Sequence, residues 1–373
     1  MRVVNSSVYR NYTSSMNNVH ASLLKSINKV QSGKEYESAA ENPLSYYKGK
    51  EIDNQYLEIL SKSQLIGDVK KRLEQQETGA RDIQKTLADA KNNVINKALT
   101  GTTSETAMDT LHSQLLQYEH NIVNDLQTQY QDFYIYGGND VSTPPFSLSA
   151  DGMTFTFTHT FPGESTATEF VMKLNDTGKF ELDTAASTGT GADLILAMSE
   201  QGFMDVGYGD IRDRSTLLDT FTGGMNLLTG LTAEAVKGGN FTVDDIMDRL
   251  SDGPLGLTAR GVQAMDKYLD EANTGYTRKE LNQDLSTLLN KMTEGEHETS
   301  AVYSDLGNKY NLLENLETKL NKMTDSLKEQ YKDTVGADPY TAIYEMYNNQ
   351  YSYNAALQVG SSLMGSSLFD FIR

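Results

Sequence analysis

The chain has 373 residues, 51 acidic against 32 basic, for a formal charge of −19, and it contains no cysteine. This length suffices for two or three domains and a sizeable core. The charge opposes a phosphate backbone, and no long Lys/Arg run reverses it locally, so nucleic acid is not an expected partner. The lack of cysteine removes disulfides, thiolate catalysis and Cys-based zinc or iron-sulfur sites.

The start of the chain has no cationic segment followed by an apolar run and a small-residue cleavage site, so no Sec-type signal peptide is expected and export would use another route. No stretch of about 18 apolar residues occurs, so no membrane span is expected either. Val8, Tyr12, Met16, Val19, Leu23, Ile27 and Val30 recur at helical spacing. They predict a helix with one narrow stripe, which alone in water would be marginal and needs a partner. Ile52, Ile59, Ile66, Leu73, Ala80, Leu87 and Val94 sit seven apart and predict a long helix over 49–99 with a coiled-coil seam. After a turn at Gly101, Ser104 is placed to cap a second helix bearing Met108, Leu111, Leu115, Tyr118, Ile122 and Leu126.

Between Gly137 and about Asn240 the heptads give way to Gly, Thr, Pro144 and Pro145. The alternation Met153-Thr-Phe-Thr-Phe-Thr-His159 predicts a strand. Phe170–Leu174 and Lys179–Leu182 predict two more around an Asn175–Gly178 turn, with short helices at 192–200 and 244–250. Leu281, Leu285, Leu288, Met292, Val302, Leu306, Tyr310, Leu313, Leu316, Leu320 and Leu327 predict a third long helix with a weak point at Gly295. Tyr344, Tyr347, Tyr351, Ala355, Val359 and Leu363 form a last helical stripe, and Leu368, Phe369, Phe371 and Ile372 close the chain.

The expected fold is mainly α: a long helical coiled-coil bundle formed by the N- and C-terminal regions, with an inserted β-rich (α+β) domain. The expected domains are a terminal helical coiled coil (1–45 with 335–373), a long-helix bundle (46–138 with 243–334) and the insert (139–242). Nothing points to catalysis or to a cofactor. His20, His112, His120, His159 and His297 lack metal-ligand spacing. Gly207-Tyr-Gly209 and Gly189-Thr-Gly191 do not complete a phosphate loop, and Asp205, Asp210 and Asp213 do not follow the order of a calcium loop. The triplets Asn11-Tyr-Thr13, Asn175-Asp-Thr177 and Asn240-Phe-Thr242 fit the glycosylation pattern without a secretory signal ahead of them. Amphipathic rings at helical spacing over Tyr340–Tyr353 are read as a helix interface.

Function is therefore expected to lie in surfaces. The candidate assembly interface comprises Val8, Tyr12, Met16, Val19, Leu23 and Ile27, expected to meet Tyr344, Tyr347, Tyr351, Val359 and Leu363, with Leu368 at the end. Head-to-tail contacts through such stripes would build a tube or a ring.

Motifs at both ends carry a resemblance. The opening Met1-Arg2-Val3, the helix ending in Gln31-Ser32-Gly33-Lys34, Glu41-Asn42-Pro43, Tyr134-Ile-Tyr-Gly-Gly138 with Pro145-Phe146, Asp333, Ala337-Asp-Pro339 and Ser366-Ser-Leu-Phe-Asp-Phe371 follow one another in order. Over residues 1–146 and 276–373, and more weakly Phe203–Gly207, the chain resembles the bacterial flagellar hook-filament junction proteins, the third hook-associated proteins of the flagellin superfamily. It departs from them at Glu37-Ser-Ala-Ala40, where a more acidic loop is usual, and at Pro339, where a helix-favouring residue is usual. The resemblance implies terminal helices paired as an inner layer of a tubular flagellum, long helices in the next layer, and an outward-facing insert. It also implies type III export with a dedicated chaperone, an extracellular location, and contacts with copies of itself, a neighbouring hook-associated protein and flagellin. The function implied is a structural adaptor joining hook to filament; flagellin itself, the bulk filament subunit, is the alternative.

Overall fold

Heptad-spaced apolar residues become long helices in the computed structural model, which describes residues 2–100, 104–199, 203–205, 217–219, 222–239, 241–270 and 275–369. The helices are α1 (Arg2–Ser32), α2 (Pro43–Ala90), a π-helical turn (Lys91–Ile95) leading into α3 (Asn96–Thr100), and α4 (Glu105–Leu126). Strands β1 (Gln129–Tyr130), β2 (Phe133–Tyr134), β3 (Phe146–Leu148), β4 (Thr154–His159), β5 (Thr168–Leu174) and β6 (Phe180–Leu182) follow, then α5 (Gly191–Ser199), β7 (Phe203–Asp205) and β8 (Leu217–Asp219). The remainder is α6 (Gly224–Thr229), α7 (Ala233–Lys237), α8 (Val243–Asp252), α9 (Pro254–Leu269), α10 (Arg278–Val335) and α11 (Pro339–Phe369). They form two units, Met1–Gln64 with Thr318–Arg373, and Leu65–Glu317.

In the unit Leu65–Glu317 the expected seam of α2 is the core. Ile66, Leu73, Ala80, Leu87 and Val94 are fully buried, and Val69, Gln76, Ile83 and Ala90 form the intervening row. Ser104 caps α4 as its position predicts, its Oγ accepting the Ala107 N–H at 3.4 Å. One cluster joins Leu87, Val94 and Ile95 to Met108 and Leu115 of α4, Leu257 and Val262 of α9, and Leu281, Leu285 and Met292 of α10.

Two sequence expectations need correcting here. Helix α10 runs unbroken through Gly295, because that glycine lies against Leu257 of α9, whose Cδ1 would be 3.0 Å from an added Cβ. Helix α9 itself had no predicted counterpart. Leu255, Leu257, Thr258, Ala259, Val262, Ala264 and Met265 are buried around its circumference, so it shows no amphipathic stripe, and its Pro and Gly look like breakers. In place, Pro254 occupies the first turn, where no N–H is needed. Gly261 admits Leu115, whose Cδ2 would be 2.6 Å from an added Cβ.

The insert holds a four-stranded antiparallel meander, β3-β4-β5-β6, with Phe155 opposite Met172 and Phe157 opposite Phe170. The Thr/Phe alternation of β4 puts Phe155, Phe157 and His159 on the buried face, as period-two geometry requires. There Phe146, Phe155, Phe157 and Phe170 stack at centroid distances of 5.2–5.7 Å. The Asn175–Gly178 turn forms, with Gly178 at φ 77°. The expected helices at 192–200 and 244–250 appear as α5 and α8, the latter closed by a reciprocal Thr242–Asp245 capping box.

Gln76 ties down the points where the chain leaves for the insert and returns. Its amide donates to Ile135 O at 2.6 Å and to Thr222 O at 3.0 Å, and accepts the Thr222 N–H at 3.4 Å. The fully buried Tyr136 donates to Gln76 O at 2.6 Å, and its ring lies over Gly79, where a Cβ would meet the hydroxyl. Close by in sequence, Asp140 accepts the N–H groups of Ser142, Thr143 and Thr160. Burial opposes its charge, but these bonds and those from side-chain hydroxyls prevail and hold its pKa at about 2.

Candidate assembly interface

In the unit Met1–Gln64 with Thr318–Arg373, α1 and α11 pack along each other. Helices α2 and α11 start on motifs noted in the sequence. Asn42 accepts the Ser45 N–H ahead of Pro43 in α2, and Asp338 accepts the Thr341 N–H at 2.8 Å ahead of Pro339 in α11. Pro339 thus stands at the first helical position, which suits a residue without an N–H. The segment between α1 and α2 is stitched to the end of α10 by Glu35 N–H to Val335 O (2.7 Å) and Ala337 N–H to Gly33 O (2.9 Å).

The seam between α1 and α11 is narrow and mixes apolar with polar residues. On α1 its less exposed positions are Tyr9, Tyr12, Met16, Val19, Leu23, Ser26 and Val30, a 3-4 repeat. On α11 they are Ala342, Met346, Asn349, Tyr353, Ala356 and Gly360, again alternating 4 and 3. Tyr12 donates to Ala356 O at 2.8 Å, and its ring rests on Gly360, where any Cβ would collide with the hydroxyl. His20 and Tyr353 rings lie 5.4 Å apart. Asn349 donates to Ser26 Oγ at 3.0 Å and Ser22 O at 3.3 Å. Lys29, only 8% exposed, binds Glu35 at 2.8 Å and Glu345 at 2.9 Å. Burial works against the Lys29 charge, but the two carboxylates outweigh it and hold its pKa above the ordinary value.

The stripe expected on α11 lies elsewhere. Tyr344, Tyr347, Tyr351 and Val359 are 68, 62, 78 and 55% exposed within the chain and do not form its seam with α1. Each of the three tyrosines lies two residues before a seam position, which at 100° per residue is about 200° around the helix, and Val359 lies next to the seam residue Gly360. Small residues decide the choice: Ala342, Ala356 and Gly360 let the helices approach, whereas a tyrosine row would hold them apart. On α1, Tyr12, Met16, Val19, Leu23 and Ile27 are half-buried, while Val8 is 44% exposed. The side chains of Leu363 and Leu368 lie outside the described residues.

The outer face of α11 is therefore an uncovered row that includes Tyr340, Tyr344, Tyr347 and Tyr351. Glu345 is the only charge in the 31 residues of this helix, and Lys29 already holds it. Helix α1 carries Arg2, Arg10, Lys25 and Lys29 and no acidic residue, against the strongly acidic balance of the whole chain.

The other candidates resolve into structural uses. His159 packs between the rings of Phe157 and Phe161, and His112 forms a 2.8 Å ion pair with Asp266 of α9. Asn175 Oδ1 accepts from Thr177 and Lys179 N–H groups and holds its turn. Thr190, within Gly189-Thr-Gly191, caps α5 by bonding with Asp193. Asp205 ends β7; Gly207-Tyr-Gly209, Asp210, Asp213 and Asn240 lie outside the described residues. Among the described residues no group of three or more His, Asp or Glu could hold a metal ion, and no helix is long and apolar enough to cross a membrane.

No protein-family profile matches this chain, and no curated protein matches it in sequence. Among solved structures it is similar to a putative flagellar hook-associated protein from Vibrio parahaemolyticus, at a TM-score of 0.51 and 11% identity, over 79% of this chain and 100% of the other. It also matches FlgL from Bacillus cereus (TM-score 0.41, 15% identity, 76% and 99% of the two chains). A third match is flagellar hook-associated protein 3 from Legionella pneumophila (0.43, 13%, 76% and 98%). With the first, this chain shares its fold over most of its length.

Proposed function

We propose that this chain is a structural adaptor subunit of the bacterial flagellum, joining the hook to the filament through packing of its terminal helices and bundle. The observation that carries this reading is the two-sided α11. One side is occupied by α1, and the other presents tyrosines that are 62–86% exposed on a helix with one, already paired, charge. Such a face gains by burial against another protein. The fold shared with a putative flagellar hook-associated protein supports the same reading. Copies of this chain, a neighbouring hook-associated protein and flagellin are the proposed partners, with export as an unfolded chain aided by a chaperone. A chain without cysteine has no disulfide to lock it before passage. The assembly residues are those of the terminal stripes, Val8 to Ile27 and Tyr344 to Leu368.

Deleting the gene and examining motility, hooks and medium tests the proposal. Hooks without filaments, with flagellin released into the medium, are the expected outcome. Disappearance of flagellin itself would make this chain the filament subunit, and unchanged motile cells would overturn both readings.

A further inference from the structure

Glu119, on α4, is fully buried, and neither of its carboxyl oxygens has a hydrogen-bond partner among the described residues. The tip of the β3–β4 hairpin roofs it. Gly152, at φ 74°, lies so close that an added Cβ would be 2.5 Å from Glu119 Oε2 and 3.0 Å from Leu116 Cδ1. The amides of that tip are already committed: Gly152 N–H donates to Ser149 O at 3.0 Å, and Met153 N–H to Asp151 Oδ1 at 3.1 Å. Among the described residues no cation acts on the carboxyl. The charge that acts on it is the carboxylate of Asp151, which Ser149 and the Met153 N–H keep ionised. Burial first, and then Asp151, raises the Glu119 pKa well above that of an ordinary carboxyl.

We propose that Glu119 is a proton-operated latch: protonated, it lets the 149–152 turn close over α4, and on losing its proton it leaves its slot and lifts the turn away. A desolvated carboxylate beside a second carboxylate, with no donor within reach, has no stable place under a closed roof. The turn's own hydrogen bonds are local to it, and Gly152 rests on Leu116 and Glu119. The turn is held to the rest of the fold next door, where Met153 O accepts the Leu174 N–H at 2.9 Å and the Met153 side chain packs on the core, so the 149–152 tip can lift about Met153 while the helix stays. The device couples the seating of the sheet on the bundle to proton concentration.

Hydrogen exchange on the full-length protein, followed across pH and corrected for intrinsic rates, tests this at Gly152 and Met153, with peptides from 281–292 as reference. Wild-type protection at the turn is expected to fall by about tenfold per pH unit once the proton is lost, while E119Q holds it constant. The infrared carbonyl stretch of a protonated carboxyl should be present at neutral pH in the wild type and missing from E119Q. Equal exchange profiles in the two proteins, or no protonated carboxyl at neutral pH, would overturn the latch.

Discussion

The α2–α4–α9–α10 core and the α1–α11 pair are both built on heptad spacing, yet they reach opposite degrees of closure. In the core the seam positions are Leu, Ile, Val and Met with almost no exposed surface. In the terminal pair Met16, Val19, Leu23, Val30 and Met346 are interleaved with Tyr, Ser, Asn, Ala and Gly, and most are half-exposed. A buried Leu is worth about 1.5–3 kcal/mol, whereas a neutral hydrogen bond nets about 1 kcal/mol. The core is therefore closed by its own side chains, while the pair holds its register through Tyr12, Asn349 and Lys29 and leaves an aromatic face uncovered. The same repeat thus yields a finished unit in one place and an unfinished one in the other.

The contrast can be broken by substitution. Leu115→Ala, in the core, should cost about 2–5 kcal/mol in urea unfolding of the isolated chain; a cost under 1 kcal/mol would show the core to be loose. Gln76→Ala leaves Ile135 O and the Thr222 backbone unpaired and should cost about 1–3 kcal/mol, read by the same titration. Leu23→Glu should change the stability of the unit Leu65–Glu317 by less than about 0.5 kcal/mol while abolishing incorporation into the flagellum. Normal motility and filament retention in that variant would refute the interface. The double change Tyr347→Ser with Tyr351→Ser should likewise spare unfolding, within about 0.5 kcal/mol, but release the subunit from the assembly, which fractionation of sheared flagella would report.

The smallest expected effect depends on pH. Hydrogen bonding to Asp266 raises the folded pKa of His112 against the opposing effect of burial. Its contribution is therefore complete below the unfolded histidine value of about 6.5 and disappears as pH rises through the folded value. His112→Asn should remove a modest stability difference between pH 5 and pH 8, measured by thermal unfolding at both; an unchanged difference would mean the pair contributes nothing.

Much of the helical framework was legible without coordinates. Seven-residue spacing from Ile52 to Val94, Ser104 ahead of Glu105, and the Thr/Phe alternation of β4 each carry one period that only one secondary structure satisfies. Gln76 could have been found too, since it is the polar residue in the row Val69, Ile83, Ala90. Helix α9 could not, because burial on all sides erases the periodic signal.

The seam of α11 marks the boundary between the two kinds of knowledge. Its sequence determined that the segment is helical, nearly uncharged and amphipathic on more than one side. Which side meets α1 was decided only by packing, since Tyr344-Tyr347-Tyr351 and Met346-Asn349-Tyr353 share the same spacing. Periodicity reports that a stripe exists; close approach, set by Ala342, Ala356 and Gly360 under the ring of Tyr12, selects the stripe that is buried. Tyr344, Tyr347 and Tyr351 stay on the surface because the ring of Tyr12 rests on Gly360, on the other side of α11, whereas Tyr353 is flanked in the seam by Ala356 and Gly360.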